Sequence, residues 1–183
     1  MTGRTAEAAS ALTMDGRETE FCLDLIRELV AIESPTSHPA GVQHVLDAVA
    51  EVFAGTRARV IHTATTERYA GLLEIRLDPD RDEPGVLVLS HADTVHPVGA
   101  IETTLKMRHE GDRLYGPGVY DMKGGLVLAV AAARRILDQG RRTRLPVTLL
   151  VTPDEEVGSP VSRARIEELA RANRYALVTE PAR

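Results

Sequence analysis

The chain has 183 residues, 43% hydrophobic and 27% charged, a composition that predicts one ordinary globular domain and leaves no room for two full-sized ones. A net charge of −5, with four Tyr, two Phe and no Trp, argues against nucleic acid as a partner, because that needs clustered cations and stacking rings. The single cysteine, Cys22, excludes an internal disulfide and a cysteine-built zinc cluster, and the longest all-apolar run, 126–133, is far short of the ~18–20 residues of a membrane span. A cytoplasmic protein with no membrane partner is the expectation.

In chain order, residues 1–17 are polar, small and Ala-rich and are expected to form a disordered lead-in without the apolar core of a secretory signal. From Glu18 the apolar positions Phe21, Cys22, Leu25, Ile26, Leu29 and Val30 recur at helical spacing until Ser34-Pro35 ends the run, and Cys22 reads as a buried small hydrophobe. A second amphipathic helix is carried by Val42, Val45, Leu46, Val49 and Phe53 and stopped by Gly55. The period then changes. Residues 57–63 and 71–77 alternate as half-buried strands do, and 86–89 is continuously apolar, as in a strand covered on both faces. A hairpin is expected between 105–109 and 113–115 around Gly111-Asp112, then a helix over 123–139 closed by Gly140. Strand 147–151, helix 161–172 and strand 175–178 complete a three-layer α/β domain with a mixed, largely parallel sheet.

Ligands in open α/β sheets collect beyond the carboxyl ends of the strands. Strand 86–89 runs into Ser90-His91-Ala92-Asp93, strand 147–151 into Asp154-Glu155-Glu156, the last strand into Glu180, and Asp121 lies between the hairpin and the next helix. Four segments thus deliver one imidazole and several carboxylates to one edge. That donor set suits Zn²⁺, Co²⁺ or Mn²⁺, and without a cation the negative charges would repel. Each residue also has an ordinary reading: His91 as a core histidine, Glu155-Glu156 as a solvated helix start, Asp121 as a helix cap, Gly124-Gly125 as turn residues. The His-x-Asp spacing favours a ligand, since a metal-bound imidazole needs an acceptor on its other nitrogen.

The segments LSHADTVHPVG, LYGPGVYDMKGG, TPDEEVGS and VTEP, in this order, resemble the co-catalytic zinc metallopeptidases, the family of glutamate carboxypeptidase, acetylornithine deacetylase, succinyl-diaminopimelate desuccinylase and aminoacylase. The wording is closest to the glutamate carboxypeptidase branch. The resemblance implies two divalent metal ions, zinc by default with Co or Mn as alternatives. His91 would bind the first and Asp93 would orient His91; Asp121 would bridge both; Glu180 would complete the first and Glu156 bind the second. Glu155 would be the general base for a metal-bridging hydroxide that attacks the amide bond of a small peptide or N-acyl amino acid. It also implies a homodimeric full-length form.

Family members are longer, with a lid and dimerisation domain inserted after this segment and a late His for the second metal. The expectation is therefore that 18–183 is the N-terminal part of the catalytic domain, its sheet incomplete at the C-terminal side. The second metal would then keep only Asp121 and Glu156. The rival reading is a truncated or split-gene product that binds metal without catalysis of its own. His38, His44, His62 and His109 read as ordinary polar residues, and His96 receives no ligand role. No G-x-S-x-G occurs, His109-Glu110 does not continue into H-E-x-x-H, Gly116-Pro117-Gly118 lacks the rest of a nucleotide loop, and the stretch 78–82 lacks the glycine of a calcium loop.

Overall fold

A computed structural model describes residues 14–182 of the chain. The first helix, α1, covers Gly16–Ala31 and starts two residues before the apolar periodicity places it. The reason is a capping box: the Asp15 carboxylate accepts the Glu18 N–H at 2.8 Å while the Glu18 carboxylate accepts the Asp15 N–H at 2.9 Å. Residues 15–17 therefore belong to a capped helix rather than to a lead-in, and the part of the lead-in over 1–13 lies outside the described residues. Helix α2 spans Pro39–Glu51, with proline at the first turn, where its missing N–H costs nothing, and turns follow it to Gly55 in the left-handed region at φ 71°.

Strands β1 (Arg59–His62), β2 (Leu73–Arg76) and β3 (Val86–His91) come next, then the hairpin β4 (Arg108–Glu110) and β5 (Arg113–Tyr115). Gly111, at φ 61°, takes the first position of the two-residue hairpin turn, where a positive φ favours glycine. Helix α3 (Gly124–Asp138), strand β6 (Val147–Thr152), helix α4 (Arg163–Ala172) and strand β7 (Tyr175–Val178) complete the chain. α4 begins two residues later than its apolar pattern, because the N–H groups of Val161 and Ser162 are taken by the Asp154 carboxylate at 2.6 and 3.2 Å.

The main sheet has the order β1-β2-β6-β3-β7. It is mixed as expected, but evenly divided rather than largely parallel: β1/β2 and β2/β6 are antiparallel, β6/β3 and β3/β7 parallel. Helices lie on both faces. Leu29 of α1, Val45 and Val49 of α2 and Leu126 and Val130 of α3 pack on Leu73, Ile75, Leu149 and Val151. On the other face, Leu169 of α4 packs on Leu87 and Leu150. β6 thus sends alternate side chains to the two cores, as its pleat requires. Each fully buried Leu, Val or Ile is worth roughly 1.5–3 kcal/mol of transfer free energy, so the larger core fixes the sheet against three helices.

Candidate metal centre

The parallel half of the sheet positions the site. His91, the last residue of β3, pairs with Thr152 of β6, and Leu89 pairs with Val178 of β7. Extending these registers puts Asp154-Glu155-Glu156 just past β6 and Glu180 level with His91. The β7 extension is pinned by Thr179, whose N–H donates to the Leu89 carbonyl at 3.1 Å and whose hydroxyl lies 2.7 Å from that of Ser90. Asp121 arrives from a different direction, in a non-helical turn before α3. It caps no helix, and Glu155-Glu156 sit in a single 3₁₀ turn rather than at the start of α4.

Two glycines make this convergence sterically possible. Gly118 adopts φ 68°, and a Cβ there would press on the Thr94 methyl beside the His91 loop. A Cβ on Gly125 would run into the Thr179 carbonyl, so the start of α3 can lie against the strand end that carries Glu180 only as glycine.

His91 is buried, and its two ring nitrogens face different groups. Nδ1 lies 2.9 Å from the Asp93 carbonyl oxygen and 3.3 Å from Asp93 Oδ1. Nε2 lies 3.2 Å from Asp121 Oδ1, 3.3 Å from Glu180 Oε1 and 3.8 Å from Glu155 Oε2. Burial alone would lower the imidazole pKa, but the Asp93, Glu180 and Glu155 carboxylates outweigh it and push it up to about 9. Burial pushes Glu156 up to about 7, and Asp121, Asp93 and Glu155 add to that against the opposing pull of His91. Glu180 is raised by burial and by the neighbouring Asp121 and Glu155 carboxylates.

These features fit a divalent cation. Ligand atoms of His91, Asp121 and Glu180 lie within 4.8 Å of one another, and so do those of His91, Glu155 and Glu156. Glu156 Oε1 is buried with no hydrogen-bond partner, an acceptor with nothing to accept. With Nδ1 held by Asp93, Nε2 is the nitrogen offered to the carboxylates, and a cation there would relieve their mutual repulsion. Among the described residues, no such group includes His38, His44, His62, His96 or His109.

All six predicted residues are thus brought to one edge. The sequence reading misses the segment that braces them. The Thr36 hydroxyl donates to Asp93 Oδ2 at 2.6 Å, the Ser34 hydroxyl to the Ala92 carbonyl at 2.8 Å, and the Glu33 carboxylate accepts the N–H groups of Gly99 and Ile101. Those backbone donors hold the Glu33 carboxyl below the usual carboxylate range. Lys123 is buried, and its ammonium donates to the carbonyls of Leu29 and Ile32 at 2.8 Å each, joining the Asp121 turn to the end of α1; burial pulls its pKa down to about 8.

The profile of peptidase family M20/M25/M40 matches residues 87–183, the half of the chain that holds His91, Asp93, Asp121, Glu155, Glu156 and Glu180. The chain belongs to this family. As a member of M20/M25/M40 it is 31% identical over 168 residues to carboxypeptidase G2 of Pseudomonas sp. (strain RS-16), covering 90% of this chain and 39% of that protein. It is 35% identical over 140 residues to succinyl-diaminopimelate desuccinylase of Gluconobacter oxydans, covering 72% and 34%. The fold is shared with human carnosine dipeptidase 1, at a TM-score of 0.69 and 17% identity over 88% of this chain and 38% of that one. The chain therefore spans between a third and two fifths of the length of the curated relatives it matches. M20/M25/M40 is a family of peptidases, and these two relatives are a carboxypeptidase and a desuccinylase.

Proposed function

We propose that this chain forms the metal-binding part of a co-catalytic amide hydrolase acting on small peptides or N-acyl amino acids. The observation that carries the reading is the convergence of Asp121, Glu180 and Glu155 oxygens on His91 Nε2, with Nδ1 fixed from behind by Asp93. On this reading His91, Asp121 and Glu180 hold the first ion, and Asp121 and Glu156 belong to a second. Zinc is the favoured ion, with Co²⁺ or Mn²⁺ accepted by the same donors. When bound, the ions supply a lowered pKa for water and polarisation of the scissile carbonyl.

The division of labour between Glu155 and Glu156 follows from their surroundings. Glu156 presents a buried, unpartnered oxygen suited to a ligand, whereas the Glu155 side chain is 49% exposed and open to solvent and substrate. Glu155 takes a proton from the attacking water as the C–O bond forms and hands it to the amine nitrogen as the C–N bond breaks. Asp93 holds the His91 ring. Space for substrate lies beside the centre: a cavity of about 640 Å³ reaches Glu180 and is walled by Tyr115, Tyr120 and Leu128.

On this reading 18–183 is the N-terminal part of a larger catalytic domain whose full-length form is a homodimer, in keeping with a chain that spans 34–39% of its curated relatives. A cytoplasmic location belongs to the same reading; among the described residues no helix is long and apolar enough to cross a membrane. The test is metal content by elemental analysis after exhaustive dialysis. About one tightly held divalent ion per chain is expected, since three protein ligands are the usual count for a catalytic zinc. His91→Ala should lose it; equal content in both proteins would refute the assignment.

A further inference from the structure

Asp93 does more than face a histidine. Its side chain is fully buried, and four donors surround the carboxylate: His91 Nδ1 at 3.3 Å and the Glu155 N–H at 3.2 Å on Oδ1, the Thr36 hydroxyl at 2.6 Å and the Glu156 N–H at 3.2 Å on Oδ2. One carboxylate therefore ties the end of β3 to the 3₁₀ turn beyond β6. Thr36 is the donor that comes from outside both segments, 57 residues away in sequence, and it is itself only 8% exposed. At 2.6 Å its bond has the length of a charge-assisted O–H···O⁻ contact, while the two N–H contacts are longer. Thr36 is placed by the main chain as well: its N–H donates to the Thr94 carbonyl, the Thr94 N–H donates to the Ser34 carbonyl, and Pro35 bridges Thr94 in parallel.

We propose that Thr36 is a positioning residue of the metal centre, whose hydroxyl sets the Asp93 carboxylate so that it aligns His91 and the Glu155-Glu156 turn together. Without that donor, Oδ2 keeps only the Glu156 N–H, and a buried carboxylate short of donors rotates or shifts toward another donor. Either response loosens the backbone of Glu155 and Glu156 and the ring of His91 at the same time. Partners of this outer kind are worth 10–100-fold in metal affinity. The inference rests on the metal reading given above.

The experiment compares the 183-residue protein with Thr36→Val, Thr36→Ser and Ser34→Ala. Valine keeps the shape of threonine and removes the hydroxyl, serine restores it, and Ser34 sits in the same brace but donates to the Ala92 carbonyl rather than to Asp93. Two quantities are read: amide hydrogen exchange at Glu155 and Glu156 in metal-free protein, and Zn²⁺ affinity by competition with a chromophoric chelator. Thr36→Val should speed exchange at those two amides at least tenfold and weaken Zn²⁺ binding on the order of 10–100-fold. Thr36→Ser should recover both, and Ser34→Ala should leave both within a factor of about three. Unchanged exchange in Thr36→Val overturns the proposal whatever the metal does. Equal losses in Thr36→Val and Ser34→Ala also overturn it, since they would make the effect one of general packing. Wild-type protein that binds no Zn²⁺ would instead overturn the metal reading, with the amide exchange still deciding the role of Thr36.

Discussion

Glu155 and Glu156 are chemically identical neighbours whose surroundings divide them. The Glu155 N–H binds Asp93 and its carboxylate reaches the opening, 3.8 Å from His91 Nε2; the Glu156 carboxylate keeps one oxygen buried and unpartnered. Glu155→Gln preserves shape and removes the proton acceptor. In a form of the protein that hydrolyses N-acyl amino acids or peptides with Zn²⁺ or Co²⁺, kcat should fall about 10²–10⁴-fold. Metal content, followed by elemental analysis, should stay near the wild-type value, because Glu155 is not needed for the His91, Asp121 and Glu180 set. Near-normal turnover would remove Glu155 from the role of base, and lost metal would make it a ligand. At this scale the convergence of the six residues on one edge was legible because each lies at a strand end or after a glycine-rich turn in a recognisable run. Thr36 and Lys123 were not, since their partners lie 57 and more than 90 residues away and no local pattern announces them.

Among the elements, the ones with strong periodicity were readable from the chain, and Tyr175–Val178 falls on the residues expected of it. The ends were less so. The start of α1 depends on a reciprocal pair of side-chain bonds, and that of α4 on a carboxylate that captures two N–H groups first. The order of the sheet was hidden for another reason: β6 lies between β2 and β3, a long-range pairing that alternation of apolar residues cannot specify. Glu74 of β2 shows how α4 is tied to the sheet. It is 5% exposed, yet it accepts from Arg165 of α4 at 3.1 Å and from Arg76 at 2.6 Å. Burial alone would raise its pKa, but the two guanidinium groups outweigh burial and hold it below the usual carboxylate range. Both arginines are partly solvated, so Glu74→Gln should cost about 1–2 kcal/mol at pH 7, less than the loss of one partner from a fully buried pair. A carboxylate with a lowered folded-state pKa stabilises fully above its unfolded value of about 4.3, and loses that contribution as pH falls through the folded value. Urea unfolding of wild type and Glu74→Gln should therefore differ at pH 7 and converge toward pH 3. A difference that persists unchanged at pH 3 would mean that packing, and not charge, ties α4 to the sheet.

Over the whole molecule, the two margins of the sheet differ in kind. At the β1 margin, which among the described residues pairs only with β2, Arg59 and His62 are exposed while Val60 and Ile61 are half-buried, Val60 against the larger core. At the other margin, among the described residues β7 pairs only with β3, and all four of its residues are exposed, with Leu177 and Val178 at 56% each. Leu128 of α3 and Tyr120 are exposed as well, and an apolar cavity of about 410 Å³ lined by Val86, Val88, Ala132, Ile136, Leu145 and Leu177 opens between α3 and the sheet. An unpaired edge of this composition offers backbone donors and acceptors together with apolar side chains, the combination that recruits another strand. The 183-residue protein should accordingly self-associate at tens of micromolar, seen in sedimentation velocity as species larger than the 19.9 kDa chain. A charge on the edge opposes pairing, so Val178→Lys should shift the distribution toward monomer. The side chain of Val178 lies outside both cores, and the substitution should therefore leave the unfolding midpoint of dilute protein nearly unchanged. Wild-type protein that remains monomeric at those concentrations, or a Val178→Lys variant that associates as wild type does, would show that the β7 edge is not what drives association.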